Sequence, residues 1–402
     1  MRRSLPVLVL VAGAFLGVQA ETVLVLPFAN QSSTHSLDWI GESVAHTVGE
    51  SLAARGLLVL GREDRQEAYR RLSIRSNAPL THATAIKVAE ELDAGAVIFG
   101  QFDLTPPAPG GPAGTRGSLH VTAWTVNMGR MRSAPEIIGS GPLDDLAALQ
   151  KHLAWQLLRQ LDPEGTPEAE LGLNDRASTR LDAMENYTRG LLASNDEQKH
   201  RYLTQAARLD DRFWEPAFEL GKLHFGHKEY QFAAGWFAKV KPPATRLLEA
   251  TFLLGLCRYY TGDYAAAEQA FTTVAESVPL NEVYNNLGAA QSRRNLPSAA
   301  ESFRKAVEGD PADPDYHFNV GFALWKRGDF EAAANGFRAV LDRNPEDAQA
   351  TLLLGRCIQK SGPRPADLKA GFERVKLNYE EGAWRQLKAA LEAGKSKPRK
   401  SE

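Results

Sequence analysis

The apolar positions of the chain follow a different pattern in each half. In the first half, short continuous apolar runs such as Val23 to Leu26 and Ala96 to Phe99 are typical of strands that are buried on both faces. Segments with helical spacing, such as Ala83 to Leu92, lie between these runs. The alternation favours a sheet covered by helices, which is an α/β arrangement.

The predicted elements of the first half end with a helix that closes the unit near residue 161. Strands are predicted at 23–28, 57–60, 96–99, 118–127 and 135–140. Helices are predicted at 38–55, 63–72, 83–92 and 142–161. The segment 105–117 is too rich in Pro and Gly for a regular element and predicts a hairpin loop.

Glycines recur at a nearly fixed interval in the second half. The differences between successive members are 31, 34, 33, 33 and 34 residues. The series is Gly190, Gly221, Gly255, Gly288, Gly321 and Gly355. A period of this length indicates a solenoid in which each unit is a pair of helices.

The residues around these glycines resemble the signature of the tetratricopeptide repeat (TPR) family. One unit reads Leu254-Gly255, Gly262-Asp263-Tyr264, Ala267, Phe271 and Pro279, and another reads Val320-Gly321, Gly328-Asp329-Phe330, Ala333, Phe337 and Pro345. Small residues suit close helix crossings, large ones fill the space between repeats, and proline ends a helix. The resemblance implies an all-α superhelical solenoid.

Six repeats are predicted over 183–376, and the first and the last depart most from the signature. In the fourth repeat, Asn295-Leu296-Pro297 replaces the usual turn, and the sixth keeps Gly355 and Phe372 but has Leu368 where a small residue is expected. Atypical end repeats are expected, because one face of each has no neighbour. A helix over 377–393 is predicted to cap the last repeat, and a basic, disordered tail to follow over 394–402.

Short motifs of the first half resemble the amino-terminal domain of TolB, which is also found in flagellar outer-membrane proteins of the FlgO type. They are 26–30 (LPFAN), 38–42 (DWIGE) and 91–100 (ELDAGAVIFG). The resemblance covers 21–161 and implies an α/β module of the bacterial envelope that makes protein contacts and has no active site. The chain is therefore predicted to be multi-domain, with a linker over 162–182.

The chain begins with a pattern typical of an export signal. Arg2 and Arg3 precede the apolar stretch Leu5 to Val18, and Ala20 lies at the predicted cleavage point. About 14 apolar residues are fewer than the roughly 20 that span a bilayer. Residues 1–20 are therefore predicted to be a signal peptide cleaved after Ala20, which places the mature chain in the periplasm or outside the cell, with no integral membrane segment. The alternative is an uncleaved anchor helix.

Composition and charge narrow the choice of partners. The chain has 43% hydrophobic and 24% charged residues, an ordinary globular balance. Its formal net charge is −2, and loss of Arg2 and Arg3 would change that to −4, so no basic field favours nucleic acid. The two cysteines, Cys257 and Cys357, lie three repeats apart and are predicted to stay unpaired.

The sequence contains none of the common catalytic motifs that were sought. The nucleophile elbow, the phosphate-binding loop and the zincin motif are all absent. The nine histidines offer no pair at helical metal-ligand spacing with a carboxylate partner. No catalytic residue, cofactor or metal is predicted, and an enzyme with an unrecognised site is the least favoured reading.

Surface residues of the solenoid are the remaining candidates for function. In TPR proteins the first helix of each repeat lines a concave groove, and the resemblance transfers that facing to a set rich in aromatic residues and arginine, which anchor many interfaces. The candidate protein-binding residues are Phe225, Tyr259, Tyr260, Asn285, Arg293, Phe322, Trp325 and Arg356. The alternative for the aromatic members is packing in the core between repeats.

Two functions are therefore weighed. The first is a non-catalytic periplasmic scaffold that binds a protein of the cell envelope in its groove. The second is a structural subunit of an envelope or outer-membrane-associated assembly, with the groove filled by the chain's own tail or by a neighbour.

Overall fold

The computed structural model describes residues 22–75, 80–107, 116–163 and 179–380. The predicted signal peptide, the basic tail, most of the predicted linker and the centre of the predicted hairpin loop lie outside these residues. All structural statements below concern the described part of the chain.

The first half contains a mixed sheet and four helices. The strands are β1 (Thr22–Val25), β2 (Ala29–Asn30), β3 (Leu58–Leu60), β4 (Ala96–Thr105), β5 (Ser118–Asn127), β6 (Arg132–Ser133) and β7 (Ile137–Pro142). The helices are α1 (Trp39–Ala53), α2 (Arg62–Arg71), α3 (His82–Glu91) and α4 (Leu146–Leu161).

The sheet is parallel on one side and antiparallel on the other. Its main path runs β3-β1-β4-β5-β6, while β2 pairs with β4 and β7 pairs with β5. β1 is parallel to both β3 and β4, because helices connect these strands. β4 and β5 pair antiparallel along ten residues each, from Ala96 opposite Asn127 to Thr105 opposite Ser118.

Helices cover both faces of this sheet. Ala96 and Ile98 of β4 join one apolar cluster with residues of α1 and α4, whereas Val97 and Phe99 join a second cluster with residues of α2 and α3. The alternation follows from the two-residue period of a strand. The first cluster extends to Met184 in the second half, so the two halves share apolar contacts.

The second half consists of twelve helices. They are α5 (Leu181–Leu192), α6 (Asp196–Leu209), α7 (Glu215–Gly226), α8 (Tyr230–Phe237), α9 (Leu247–Tyr260), α10 (Tyr264–Ser277), α11 (Asn281–Arg293), α12 (Ala299–Gly309), α13 (Pro314–Lys326), α14 (Phe330–Arg343), α15 (Ala348–Ile358) and α16 (Pro365–Ala370). Odd-numbered helices are the first helices of successive repeats and even-numbered ones are the second.

The periodic glycines lie where the two helices of a repeat approach each other. A Cβ atom placed on Gly255 would come within 2.8 Å of the ring of Phe271 on the partner helix. Gly221 and Gly288 have the same relation to Phe237 and Phe303. Glycine is needed at these positions because the aromatic ring occupies the space of a side chain.

The altered turn of the fourth repeat keeps the backbone conformation of its neighbours. Gly262 and Gly328 have positive φ angles of 84° and 81°, and Asn295 adopts 57° at the corresponding turn. Asparagine is among the few residues that tolerate this conformation. The repeat therefore survives without the glycine.

The sixth repeat ends differently from the prediction. Its second helix, α16, stops at Ala370, and residues 371–380 form neither helix nor strand. Gly371 has a positive φ of 64°, which breaks the helix. Residues 377–380 of the predicted capping helix 377–393 are thus not helical, and its remainder lies outside the described residues.

Both cysteines are buried and neither forms a disulfide. Burial raises the pKa of Cys257 to about 12. The thiol is therefore protonated at neutral pH, and the side chain packs in the core as a small apolar group.

Candidate peptide-binding groove

Residues 371–380 lie in a groove lined by the first helices of repeats three to six. These helices are α9, α11, α13 and α15, and we call residues 371–380 the groove segment. The groove segment runs from the α13 side, where Phe372 contacts Phe322, to α9, where Tyr379 contacts Phe252. The groove therefore holds part of its own chain.

Three asparagines bind the backbone of the groove segment. Asn319 accepts a hydrogen bond from the Arg374 amide at 2.8 Å and donates one to the Arg374 carbonyl at 2.8 Å. Asn286 does the same for the amide and carbonyl of Lys376, at 2.8 and 2.7 Å. Asn285 adds a second donor to the Arg374 carbonyl at 2.7 Å. All three asparagines are completely buried, and the carboxamides of Asn286 and Asn319 replace the strand partner of an extended peptide.

The Arg374 side chain enters an acidic part of the groove. Its guanidinium lies 3.2 Å from Asp315 and 2.8 Å from Asp347, and its central carbon is 3.7 Å from the centroid of the Phe318 ring. Gln349 accepts a further hydrogen bond. The site combines charge pairing with an aromatic face, a pairing that suits arginine better than lysine.

Lys376 uses the other side of the same acidic cluster. Its Nζ is 2.7 Å from Asp313 and 2.8 Å from Asp315. Burial opposes ionisation of Asp315, but Lys376 and Arg374 outweigh it and hold the pKa of Asp315 below its ordinary value. The ion pairs therefore persist through the neutral pH range.

Glu373 points to the opposite, basic side of the groove. Its side chain is only 1% exposed and accepts a hydrogen bond of 2.7 Å from Ser292. Arg293 and Lys326 each lie 3.8 Å from its carboxylate. Burial lowers the pKa of Lys326, and the neighbouring Glu373 opposes that shift. Successive side chains of the segment thus meet opposite charges.

Apolar side chains hold the segment at three points. The ring of Phe372 meets that of Phe322 edge to face at 5.6 Å, and Tyr379 packs on Phe252 at 4.7 Å. Val375 packs against the apolar clusters of the third and fourth repeats. The groove therefore recognises backbone, charge and apolar surface together.

Three of the eight predicted binding residues contact the groove segment. They are Asn285, Arg293 and Phe322. Tyr259 and Phe225 are partly buried against the repeat core, and burial raises the pKa of Tyr259 well above its ordinary value. Tyr260 remains 40% exposed and stacks on Tyr230.

Trp325 and Arg356 have structural positions instead. Trp325 is completely buried and donates a hydrogen bond to the Ser361 carbonyl, which fits the alternative position, packing in the core between repeats. Arg356 pairs with Asp367 at 2.8 Å. Trp325 is core because its ring fills the space between the fifth and sixth repeats.

Most of the polar residues that hold the segment are not among the predicted binding residues. They are Asn286, Ser292, Asp313, Asp315, Asn319, Lys326, Asp347 and Gln349. One signal was available: Asn286 and Asn319 lie 33 residues apart, which is the period between these two repeats, and each comes two residues before its repeat glycine. Polar residues that recur at the repeat period on a first helix indicate a shared groove function.

A second cavity of about 410 Å³ lies between the sheet half and the first repeats. Glu219, Lys199, Lys222 and Arg246 are among its lining residues. Burial opposes ionisation of Glu219, but these three cations hold its pKa below the ordinary value. Five acidic and five basic side chains line this cavity in all, so their charges balance and the cavity indicates no particular ligand.

Comparison with known proteins supports the repeat assignment. The family model described as tetratricopeptide repeat matches residues 252–315 and 321–360, so this region contains TPRs. No curated protein matches the chain. TPRs are typically modules for protein–protein interaction.

Solved structures resemble parts of the chain. MamA 41-end from Desulfovibrio magneticus RS-1 is 26% identical over 41% of this chain and 95% of its own length, with a TM-score of 0.37. YrrB, described as a TPR protein with an unusual peptide-binding site, is 19% identical over 48% of this chain and 93% of its own, with a TM-score of 0.35. At these scores the overlaps carry no argument about function.

The described residues offer neither a membrane-spanning helix nor a metal site. Within them, no helix is long and apolar enough to cross a bilayer. The same residues contain no group of three or more His, Cys, Asp or Glu side chains placed to hold a metal ion.

Proposed function

We propose that this protein is a non-catalytic protein-interaction scaffold whose groove, lined by α9, α11, α13 and α15, binds an extended segment of a partner. One observation carries the proposal. The asparagines Asn286 and Asn319 each pair with both backbone groups of one residue in the groove segment. Such bonds depend on an extended backbone and not on a particular side chain, so a segment of another protein can form them.

The groove segment is then an internal ligand that occupies the site until a partner replaces it. Its tethering gives it a high effective concentration, of the order of millimolar for a short connection. A partner must compete with that concentration. The proposal therefore includes weak binding by the resting protein.

The compartment is also part of the proposal. The predicted signal peptide and the TolB-like motifs favour a periplasmic or secreted protein that meets a cell-envelope partner. Intact mass of the protein from its native host is expected to correspond to a chain that starts at Glu21. A retained Met1 or an acylated species would contradict the export proposal.

A structural subunit of an envelope assembly is the second candidate. The occupied groove favours it, because the side chain of Glu373 is almost fully buried in the groove. In that case the segment never leaves, and the partner surface lies elsewhere. Exchange of the segment distinguishes the two functions.

The test uses a fluorescent peptide with the sequence of residues 371–380 and the full-length chain. In Arg374→Ala with Lys376→Ala, the internal segment loses its ion pairs with Asp313, Asp315 and Asp347, while the groove itself is unchanged. We expect the peptide to bind this variant on the order of 100-fold more tightly than the wild type, by fluorescence anisotropy, because each buried charged contact contributes about 1.5–3 kcal/mol.

The matched control is Lys305→Ala with Arg338→Ala, which also removes one lysine and one arginine, but from exposed positions of α12 and α14. It should bind like the wild type. An equal gain in peptide affinity in both variants, or no peptide binding to either variant, would contradict the scaffold proposal and favour the structural subunit.

A further inference from the structure

The sixth repeat lacks the packing that the other repeats share. A Cβ atom on Gly221, Gly255, Gly288 or Gly321 would come within 3.1 Å of an aromatic ring or a backbone oxygen of the second helix. Gly355 occupies the same place in α15, yet nothing lies within 4 Å of such an atom there. The surface beside Gly355, where the second to fifth repeats hold an aromatic ring, is therefore open in the sixth repeat.

The apolar residues beside Gly355 on α15 are exposed, unlike their counterparts in other repeats. In the second, third and fifth repeats, the phenylalanine three residues before the glycine contacts the aromatic ring of the second helix. The pairs are Phe218–Phe237, Phe252–Phe271 and Phe318–Phe337, at 5.9, 5.6 and 5.5 Å. The corresponding residue of the sixth repeat, Leu352, is 50% exposed, and Ile358 on the same helix is 68% exposed.

The chain contains the residues that fit this surface. Residues 336–340 and 371–375 share the pattern Gly-Phe-x-x-Val. In α14 this pattern is helical and places Phe337 and Val340 in the core. In the groove segment the same pattern is extended, and Phe372 contacts Phe322 instead of Gly355.

The start of the second helix is already in place. α16 begins at Pro365, seven residues before Phe372, just as α14 begins at Phe330, seven residues before Phe337. Asp367 fixes that start through Arg356 and the amide of Arg364. A helix can therefore extend from α16 through 371–375 once Gly371 gives up its positive φ.

The geometry points to a second docking site for residues 371–376 on the face of α15 formed by Leu352, Gly355 and Ile358. In this alternative state α16 continues as a helix, Phe372 packs on Gly355, and the groove is empty. The inference rests on the proposed function, because the emptied groove is the site that a partner takes.

The contacts of the groove segment also define the kind of partner. Its extended segment carries an aromatic residue, an acidic residue, an arginine, an apolar residue and a lysine in that order, matching Phe372 to Lys376. The acidic residue meets Arg293 and Lys326, and the two basic residues meet Asp313, Asp315 and Asp347. A partner segment with reversed charges does not fit.

The experiment observes position 372 directly in the full-length protein, without any added ligand. 4-Fluorophenylalanine at position 372 gives one main ¹⁹F resonance for the ring against Phe322. Gly371→Ala removes the residue that tolerates positive φ and favours a helix, so we expect a second resonance whose population rises roughly tenfold or more. The position before the packed phenylalanine is Ala270 in α10, so alanine is compatible with this packing there, whereas a Cβ atom on Gly336 of α14 would come within 2.9 Å of Gly321.

Adding Gly355→Ala to that variant places a methyl group where Phe372 docks. It is expected to reduce the second resonance about tenfold or more, since the equivalent glycines leave no room for a Cβ. The matched control is Gly235→Ala, a helical glycine that also has nothing within 4 Å. That change should leave the second resonance unaltered.

Either of two results overturns the inference. One is a single unchanged resonance in Gly371→Ala, and the other is a second resonance that Gly355→Ala leaves intact. Both are independent of the peptide-binding assay. If the resonances behave as expected while no peptide binds, the docking site stands and the proposed function fails.

Discussion

Replacement of Trp325 by alanine is expected to lower the free energy of unfolding by about 3–5 kcal/mol, the range for large aromatic side chains in a core. The ring of Trp325 is completely buried, packs against Phe322 at 5.8 Å and lies under the guanidinium of Arg356. Its Nε1 also bonds the Ser361 carbonyl, which would lose its donor. Denaturant unfolding followed by circular dichroism measures the change.

Tyr260→Ala is the control for this prediction. Tyr260 is 40% exposed and stacks on Tyr230, so its loss should cost less than about 1 kcal/mol. Equal losses in the two variants would contradict the assignment of Trp325 to the core. The TPR resemblance predicted a groove position for both residues, with the core as the alternative, and the two stabilities separate these positions.

Asn285→Ala combined with Asn319→Ala is expected to release the groove segment. The change removes three hydrogen bonds to the backbone of Arg374. At about 0.5–1.5 kcal/mol for each bond, exchange of the Arg374 amide with solvent should accelerate roughly 10- to 1000-fold. The Lys376 amide should follow, because the ion pairs of both residues share Asp315. Native-state hydrogen exchange resolved to single residues makes the measurement.

Asn335→Ala is the matched control, because Asn335 lies exposed on α14 and accepts only from Arg338 within the described contacts. Exchange within the groove segment should remain at the wild-type rate in that variant. Unchanged exchange in the asparagine double variant would show that side-chain contacts alone hold the segment. The backbone-recognition argument would then fail.

Elements set by local patterns could be predicted from the sequence. The apolar run at 96–99 lies within β4, because a strand that is buried on both faces is continuously apolar. The helical spacing at 83–92 predicted α3, because a helix that is buried along one stripe has apolar residues at its helical period. The glycine series predicted the helix pairs, since four of its six members, Gly221, Gly255, Gly288 and Gly321, face a phenylalanine ring of the partner helix. The TolB-like identity of the first half stays a prediction.

The position of the groove segment could not be predicted from local pattern. Phe372 and Val375 have the spacing of a second helix, and that spacing fits either docking site. The extended state depends on Asn286 and Asn319, which lie 90 and 55 residues from their backbone partners. Their carboxamides replace the helical hydrogen bonds that the segment gives up, and no window of neighbouring residues contains that information.

The groove facing of single side chains was equally hard to predict. Asn285 comes three residues before its repeat glycine and Trp325 four residues after its own, so helical spacing places both on one face of a first helix, yet one binds the segment and the other fills the core. A small rotation of a helix about its axis decides between the two. Period alone does not fix that rotation, because neighbouring repeats and the segment itself contribute to it.

We expect the groove formed by α9, α11, α13 and α15 to bind an extended peptide chain. Photo-crosslinking shows directly where such a peptide lies. The probe is a peptide of residues 371–380 with benzoylphenylalanine in place of Phe372, bound to the full-length chain carrying Arg374→Ala and Lys376→Ala. We expect crosslinks to residues of α13 around Phe322, with the crosslinked sites identified by mass spectrometry. Crosslinks confined to the sheet half, or to the second helices α10, α12 and α14, would contradict it.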